Sequence, residues 1–210
     1  MDAYAAKGTA RRGLSLILPG NSASRKHMPS WERLRELSGK LPGVRDWIED
    51  TVASYQSRAT PVAELDLPHL GRYFSAELLQ EAKTVHLTDL PPLPPLHEIG
   101  EEASESEEPV IYEAVTYGDT IFLGEKLQSE VLYFHELVHV IQWNRLGKEN
   151  FLFAYVAGLL DFGYRSNPLE KIAFGLQEKF RQGNLSADVA GSIRKHSDTI
   201  WQRTFGSAIP

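Results

Sequence analysis

Near the start of the chain, apolar residues recur at helical spacing in two stretches. These are Trp31–Leu37 and Val44–Tyr55, the second through Val44, Trp47, Ile48, Val52 and Tyr55. Ser75 is a good N-cap and predicts a third, short helix carrying Leu78 and Leu79. At Thr84–Leu90 the pattern switches to alternation, with Val85 and Leu87 around His86, which predicts a strand. Val110–Thr116 and Thr120–Leu123 are rich in β-formers and bracket Tyr117-Gly118-Asp119, a sequence suited to a tight hairpin. A long helix is predicted from Glu125 or Lys126 through Arg145, stopping at Gly147. Another opens at Ser166-Asn167-Pro168 and runs to Arg181, stopping near Gly183, and a last one covers Ala187–Thr204. The predicted class is α+β, with helices and a small sheet first and helices thereafter. No internal repeat is present.

Composition narrows the function classes. The chain has 210 residues, enough to bury a core, with 42 % hydrophobic and 24 % charged residues, which excludes wholesale disorder. A net charge of −6 argues against a nucleic-acid partner or electrostatic membrane binding. The absence of cysteine excludes disulfides, a thiol nucleophile and any thiolate-ligated metal. No apolar run approaches the ~20 residues of a membrane span. Lys7, Arg11 and Arg12 precede Leu14–Leu18, but that run is too short for a signal peptide and breaks at Pro19-Gly20. The expected location is cytoplasmic as synthesised, with leaderless export as the alternative.

The acidity is local. Residues 89–109 hold five prolines, seven acids and no Lys or Arg, and without them the net charge moves from −6 to +1. Such a segment reads as a solvated loop, or more sharply as an acidic flap over a cleft.

The long helix carries His135-Glu136-Leu137-Val138-His139, an HExxH motif expected by chance at roughly 0.02 occurrences in a chain of this composition. One helical turn separates the histidines, so both imidazoles point the same way and can reach one metal ion. The neighbouring positions are apolar on nearly every side, which is the signature of a buried helix. Two histidines and a glutamate there are costly unless paired or metal-bound.

Zinc requires a third protein ligand and leaves the fourth position to water. The extended HExxHxxGxxH form is excluded by Gln142 and Arg145. The remaining pool narrows to two downstream carboxylates, Asp161 and Glu170. Glu170 has a competing explanation, because with Asn167 as N-cap and Pro168 at N1 it occupies N3, where a glutamate closes a capping box.

His135–His139 followed by Asn167-Pro168-Leu169-Glu170-Lys171-Ile172-Ala173 resembles the gluzincin zinc metallopeptidases, most closely the compact minigluzincins. Ala114–Leu123 together with His135–Gln142 is also similar to a bacterial domain of unknown function with a His-Glu-Leu-x-His-Val-x-Gln core. The resemblance covers roughly residues 84–181. It implies a small zincin-like sheet packed on the HExxH helix and on a glutamate-bearing helix, with extra helices at both ends. It implies one Zn2+ per chain held by His135, His139 and Glu170, with Glu136 as general base. It further implies that an edge strand within Thr120–Leu123 pairs with an extended substrate peptide. Oxyanion stabilisation falls to Tyr155, Tyr164 or Arg165, with Tyr164 preferred because it lies next to the glutamate helix.

The resulting expectation has three parts. Residues 1–82 form a mostly helical N-terminal region, residues 83–182 a metallopeptidase core containing the acidic loop, and residues 183–210 a C-terminal helix. The expected activity is hydrolysis of a peptide or protein substrate. The alternative is a metal-binding, non-proteolytic module, latent or secretion-associated, with a protein partner at the N-terminal helices or the acidic loop.

Overall fold

A computed structural model describes residues 31–94, 113–127 and 129–206. Among them are six helices and one four-stranded mixed sheet, so the α+β expectation holds. In chain order the elements are α1 (Trp31–Tyr55), β1 (Thr60–Pro61), α2 (Ala76–Glu81), β2 (Lys83–Leu87), β3 (Ala114–Tyr117) and β4 (Thr120–Gly124). These are followed by α3 (Glu130–Leu146), α4 (Lys148–Phe162), α5 (Pro168–Arg181) and α6 (Val189–Phe205).

The predicted elements recur with informative shifts. The two N-terminal helical stretches are one helix, α1, which continues through Pro42. A proline removes a hydrogen bond, but Leu41, Val44 and Ile48 on either side of it are buried in the core that α4 shares, and that burial holds the helix together. The motif helix begins at Glu130 rather than at residue 125 or 126, because Leu127 N–H turns back to the Gly124 carbonyl. Glu130 then anchors the preceding layer by accepting from the backbone N–H groups of His69 and Leu70. One helix is unanticipated. Residues 148–162, α4, are apolar on so many sides that no 3.6-residue stripe stands out.

In the sheet the strand order is β1-β2-β4-β3, with β2 and β4 parallel and the other neighbours antiparallel. The hairpin falls where expected: Tyr117 pairs with Thr120 across Gly118, whose φ of +65° suits glycine. The sheet edge is not where the resemblance placed it. Thr120–Leu123 belongs to β4, an interior strand between β2 and β3, and among the described residues β3 is the edge on that side.

Helix α3 lies between two hydrophobic clusters. Trp143 and Leu146 join α1, α4 and Trp201, while Phe134, Leu137, Val138 and Ile141 join Leu70, Phe74, Ala173 and Ile193. Helix α6 touches both clusters and is tied to α3 by the Arg145–Asp198 pair. No helix among the described residues is long and apolar enough to cross a membrane. The N-terminal 30 residues, most of the acidic loop and Ser207–Pro210 lie outside the described residues.

Candidate metal centre

The i, i+4 spacing on α3 sets the two imidazoles side by side, with His135 Nε2 and His139 Nε2 3.1 Å apart. Glu170 Oε2 lies 3.4 Å from each. The three residues are 4 %, 6 % and 2 % exposed, and among the described residues they form one group able to hold a metal ion. Asp161, the other carboxylate in the sequence-derived pool, is not part of that group.

Each imidazole is oriented from behind. His135 Nδ1 lies 2.7 Å from Gln177 Oε1 and His139 Nδ1 2.8 Å from Gln142 Oε1. Gln142 Nε2 donates to the Leu169 carbonyl at 3.0 Å, which fixes the amide with its oxygen towards His139. His139 Nδ1 therefore carries hydrogen, and both Nε2 atoms turn towards Glu170 Oε2. Outer partners of this kind set the tautomer of metal-binding histidines.

Glu170 reaches the centre because of how α5 begins. Asn167 caps the helix by accepting from Leu169 N–H at 3.1 Å and donates to the Tyr155 carbonyl at 3.0 Å. The Asn167 N–H goes to Tyr164 O, so Glu170 does not close a capping box. Its Oε1 accepts instead from the Tyr155 hydroxyl at 2.7 Å, and Oε2 is buried without a hydrogen-bond partner. This start of α5 sits directly against α4: a Cβ built on Gly158 would fall 2.7 Å from Asn167 Oδ1.

The electrostatics demand a positive charge between these groups. Burial opposes charge on His139, but the Glu170 carboxylate and then Glu136 raise its pKa to about 9. Burial likewise pushes Glu170 up, yet His139 and His135 hold it well below the usual carboxylate range. In the metal-free protein the cluster therefore keeps a proton where a cation fits. Two imidazole nitrogens and a carboxylate whose buried Oε2 has no hydrogen-bond partner suit a divalent metal.

Glu136, 5 % exposed, is not in the ligand group. Its Oε2 accepts from Thr116 Oγ1 of β3 at 2.7 Å, so one oxygen is fixed by the edge strand. The register turns the backbone groups of Ala114 and Thr116 away from β4. The Thr116 carbonyl already accepts from the Trp143 indole at 3.2 Å.

Tyr155, Tyr164, Leu93, Pro94 and β3 line one cavity of about 110 Å³ with the metal group. Burial and the Glu170 carboxylate raise both phenols, so both stay neutral donors. Arg165 lies over the Phe174 ring, 5.8 Å from its centre, on the exposed side. Sequence reasoning missed Thr116, Gln142 and Gln177 as supports. The i, i+3 spacing of His139 and Gln142 was a usable signal, whereas Thr116 had none. No protein family matches the chain, and no curated protein or solved structure matches it either.

Proposed function

We propose that this chain is a gluzincin-like zinc peptidase with a zincin-like core, in which His135, His139 and Glu170 hold one Zn2+. The convergence of two Nε2 atoms and an unpartnered buried carboxylate oxygen carries this reading. Zinc bound there supplies a Lewis acid that lowers the pKa of water to about 7 and polarises a carbonyl. Glu136 is the general base: Thr116 holds its Oε2, and its other oxygen takes the proton of the attacking water and passes it to the leaving amine. The Tyr155 hydroxyl donates to Glu170 at 2.7 Å, and the neutral phenol of Tyr164, which lines the same cavity, donates to the developing oxyanion. The outward backbone groups of Ala114 clamp one residue of a peptide at the sheet edge.

The reading is tested by metal content per chain and by cleavage of an unfolded protein substrate. Wild type and Glu136→Gln should each carry about one zinc, and Glu170→Ala should lose it. Cleavage should fall by about 10²–10⁴-fold in Glu136→Gln. No metal in wild type after zinc reconstitution would sink the proposal. The near-complete burial of the centre favours a second reading, a metal-binding but latent module. That reading gains if wild type holds zinc yet shows no cleavage that depends on Glu136.

A further inference from the structure

The metal-bearing cavity is walled almost entirely by regular structure. Helices α1, α3, α4 and α5 and strand β3 contribute lining residues, and Tyr164 adds one from the short turn before α5. The exception is Leu93-Pro94, which lines the same cavity from a stretch outside any helix or strand. That stretch leaves β2 through an exposed bend at Thr88-Asp89 and continues as Leu90-Pro91-Pro92-Leu93-Pro94. Proline at 91, 92 and 94 fixes φ and withholds the N–H. In an extended proline-rich run of three residues per turn, positions 91 and 94 share a side. Both are buried, whereas Pro92 between them is exposed, so one face of the strap is pressed inwards. Leu90 packs against the core cluster that contains Val44, Ile48 and Trp143. Among the described residues, no backbone–backbone hydrogen bond ties residues 90–94 to a neighbouring element.

Resting on the peptidase reading, we propose that residues 90–94 form a strap that roofs the metal centre and must swing out before a peptide can reach it. Three observations carry this. The metal-group residues and Glu136 are all buried, so the centre is covered in the described state. The whole cavity, metal end included, measures about 110 Å³, below the ~150 Å³ of an engineered cavity that accepts benzene. A peptide residue with its flanking amides needs more room, so a wall has to give. Moving a helix wall tears the shared core, and moving β3 breaks its ladder with β4. Moving the strap costs only the apolar contacts of its own leucines and prolines. Segments held by few contacts are the ones that open locally, and the Thr88-Asp89 bend supplies a hinge. The latent and the active reading are then two states of one molecule, strap closed and strap open.

The test follows metal exchange on the full chain, which requires no substrate. Zinc loss to excess chelator and zinc uptake by the metal-free protein are timed for wild type and Leu93→Ala. Leu93 is half-buried, so truncating it weakens the closed strap and should speed both rates by about 3- to 10-fold. Zinc affinity, the ratio of the two rates, should stay within about twofold, because Leu93 is no part of the metal group and opening scales both directions alike. Leu93→Val provides a milder step if the alanine variant unfolds, with a smaller rise in both rates. Unchanged rates in a variant that holds zinc overturn the strap. Faster loss without faster uptake also overturns it, because Leu93 then only supports the packing of the site. Cleavage of an unfolded protein by Leu93→Ala separates the two proposals. Glu136-dependent cleavage should rise by the same factor as exchange. Such cleavage with exchange rates unchanged removes the strap and leaves the peptidase. Both rates rising together, with no cleavage that depends on Glu136, removes the peptidase and leaves a roof over the metal. Absence of zinc in reconstituted wild type overturns both.

Discussion

Gln142→Met is the sharpest probe of the centre that touches no ligand. Methionine keeps the volume and helix propensity at a position with no exposure, so packing is nearly conserved. Two interactions disappear: the bond from His139 Nδ1 at 2.8 Å and the bond to the Leu169 carbonyl at 3.0 Å. Losing the second costs about 1 kcal/mol. Burying the Nδ1–H without a partner costs about 1–3 kcal/mol, in either protonation state of Nε2, because Nδ1 carries hydrogen in both. The metal-free variant should therefore be about 2–4 kcal/mol less stable than wild type in urea melts with chelator. Zinc affinity, read by competition with a chromophoric chelator, should fall by about 10–100-fold, because the imidazole is no longer held in the binding tautomer. A metal-free loss of that size with zinc affinity within about twofold of wild type would refute the orienting role. Gln142 would then be only a tie between two helices.

Gly158→Ala should act at a distance: its methyl collides with Asn167, shifts the start of α5, and weakens zinc binding together with about 1–3 kcal/mol of stability, read by melts with and without metal. Tyr155→Phe removes the donor to Glu170 Oε1 and should lower zinc affinity by about tenfold or more, measured by the same chelator competition. The pKa of His139 is raised from 6.5 to about 9, so the stabilisation it gives the metal-free protein is complete below pH 6.5 and is lost as pH rises through about 9. Melting temperature in chelator should drop across that window, while zinc affinity climbs over the same range because binding must displace the proton. A flat metal-free profile would remove the proposed charge on the cluster.

Much of this was legible in the chain because the decisive signals are local. His135 and His139 share a helix face by spacing alone, and Asn167-Pro168 marks the start of α5 to the residue. The hairpin at Gly118 followed from the need for a positive φ. What the sequence concealed depends on contacts distant along the chain. Glu170 is equally good as a cap residue until Tyr155, fifteen positions earlier, is seen to hold its Oε1. Thr116 gives no hint of Glu136, because that pairing exists only once β3 lies across α3. Helix α4 was hidden for the opposite reason: a helix apolar on nearly all sides loses the periodic stripe by which helices are recognised. The edge strand was misplaced because the hydrophobic pattern finds strands without ordering them.

The two borders of the sheet have a consequence for how these molecules behave in company. At one border β1 is only two residues long and ends in Pro61, which has no N–H to offer a further strand. At the other, β3 spans four residues, and one of its two outward carbonyls is already taken by the Trp143 indole. Among the described residues, a sheet finished in this way gives a second copy no continuous row of donors and acceptors to extend. The described fold thus withholds the template from which strand-by-strand aggregation grows.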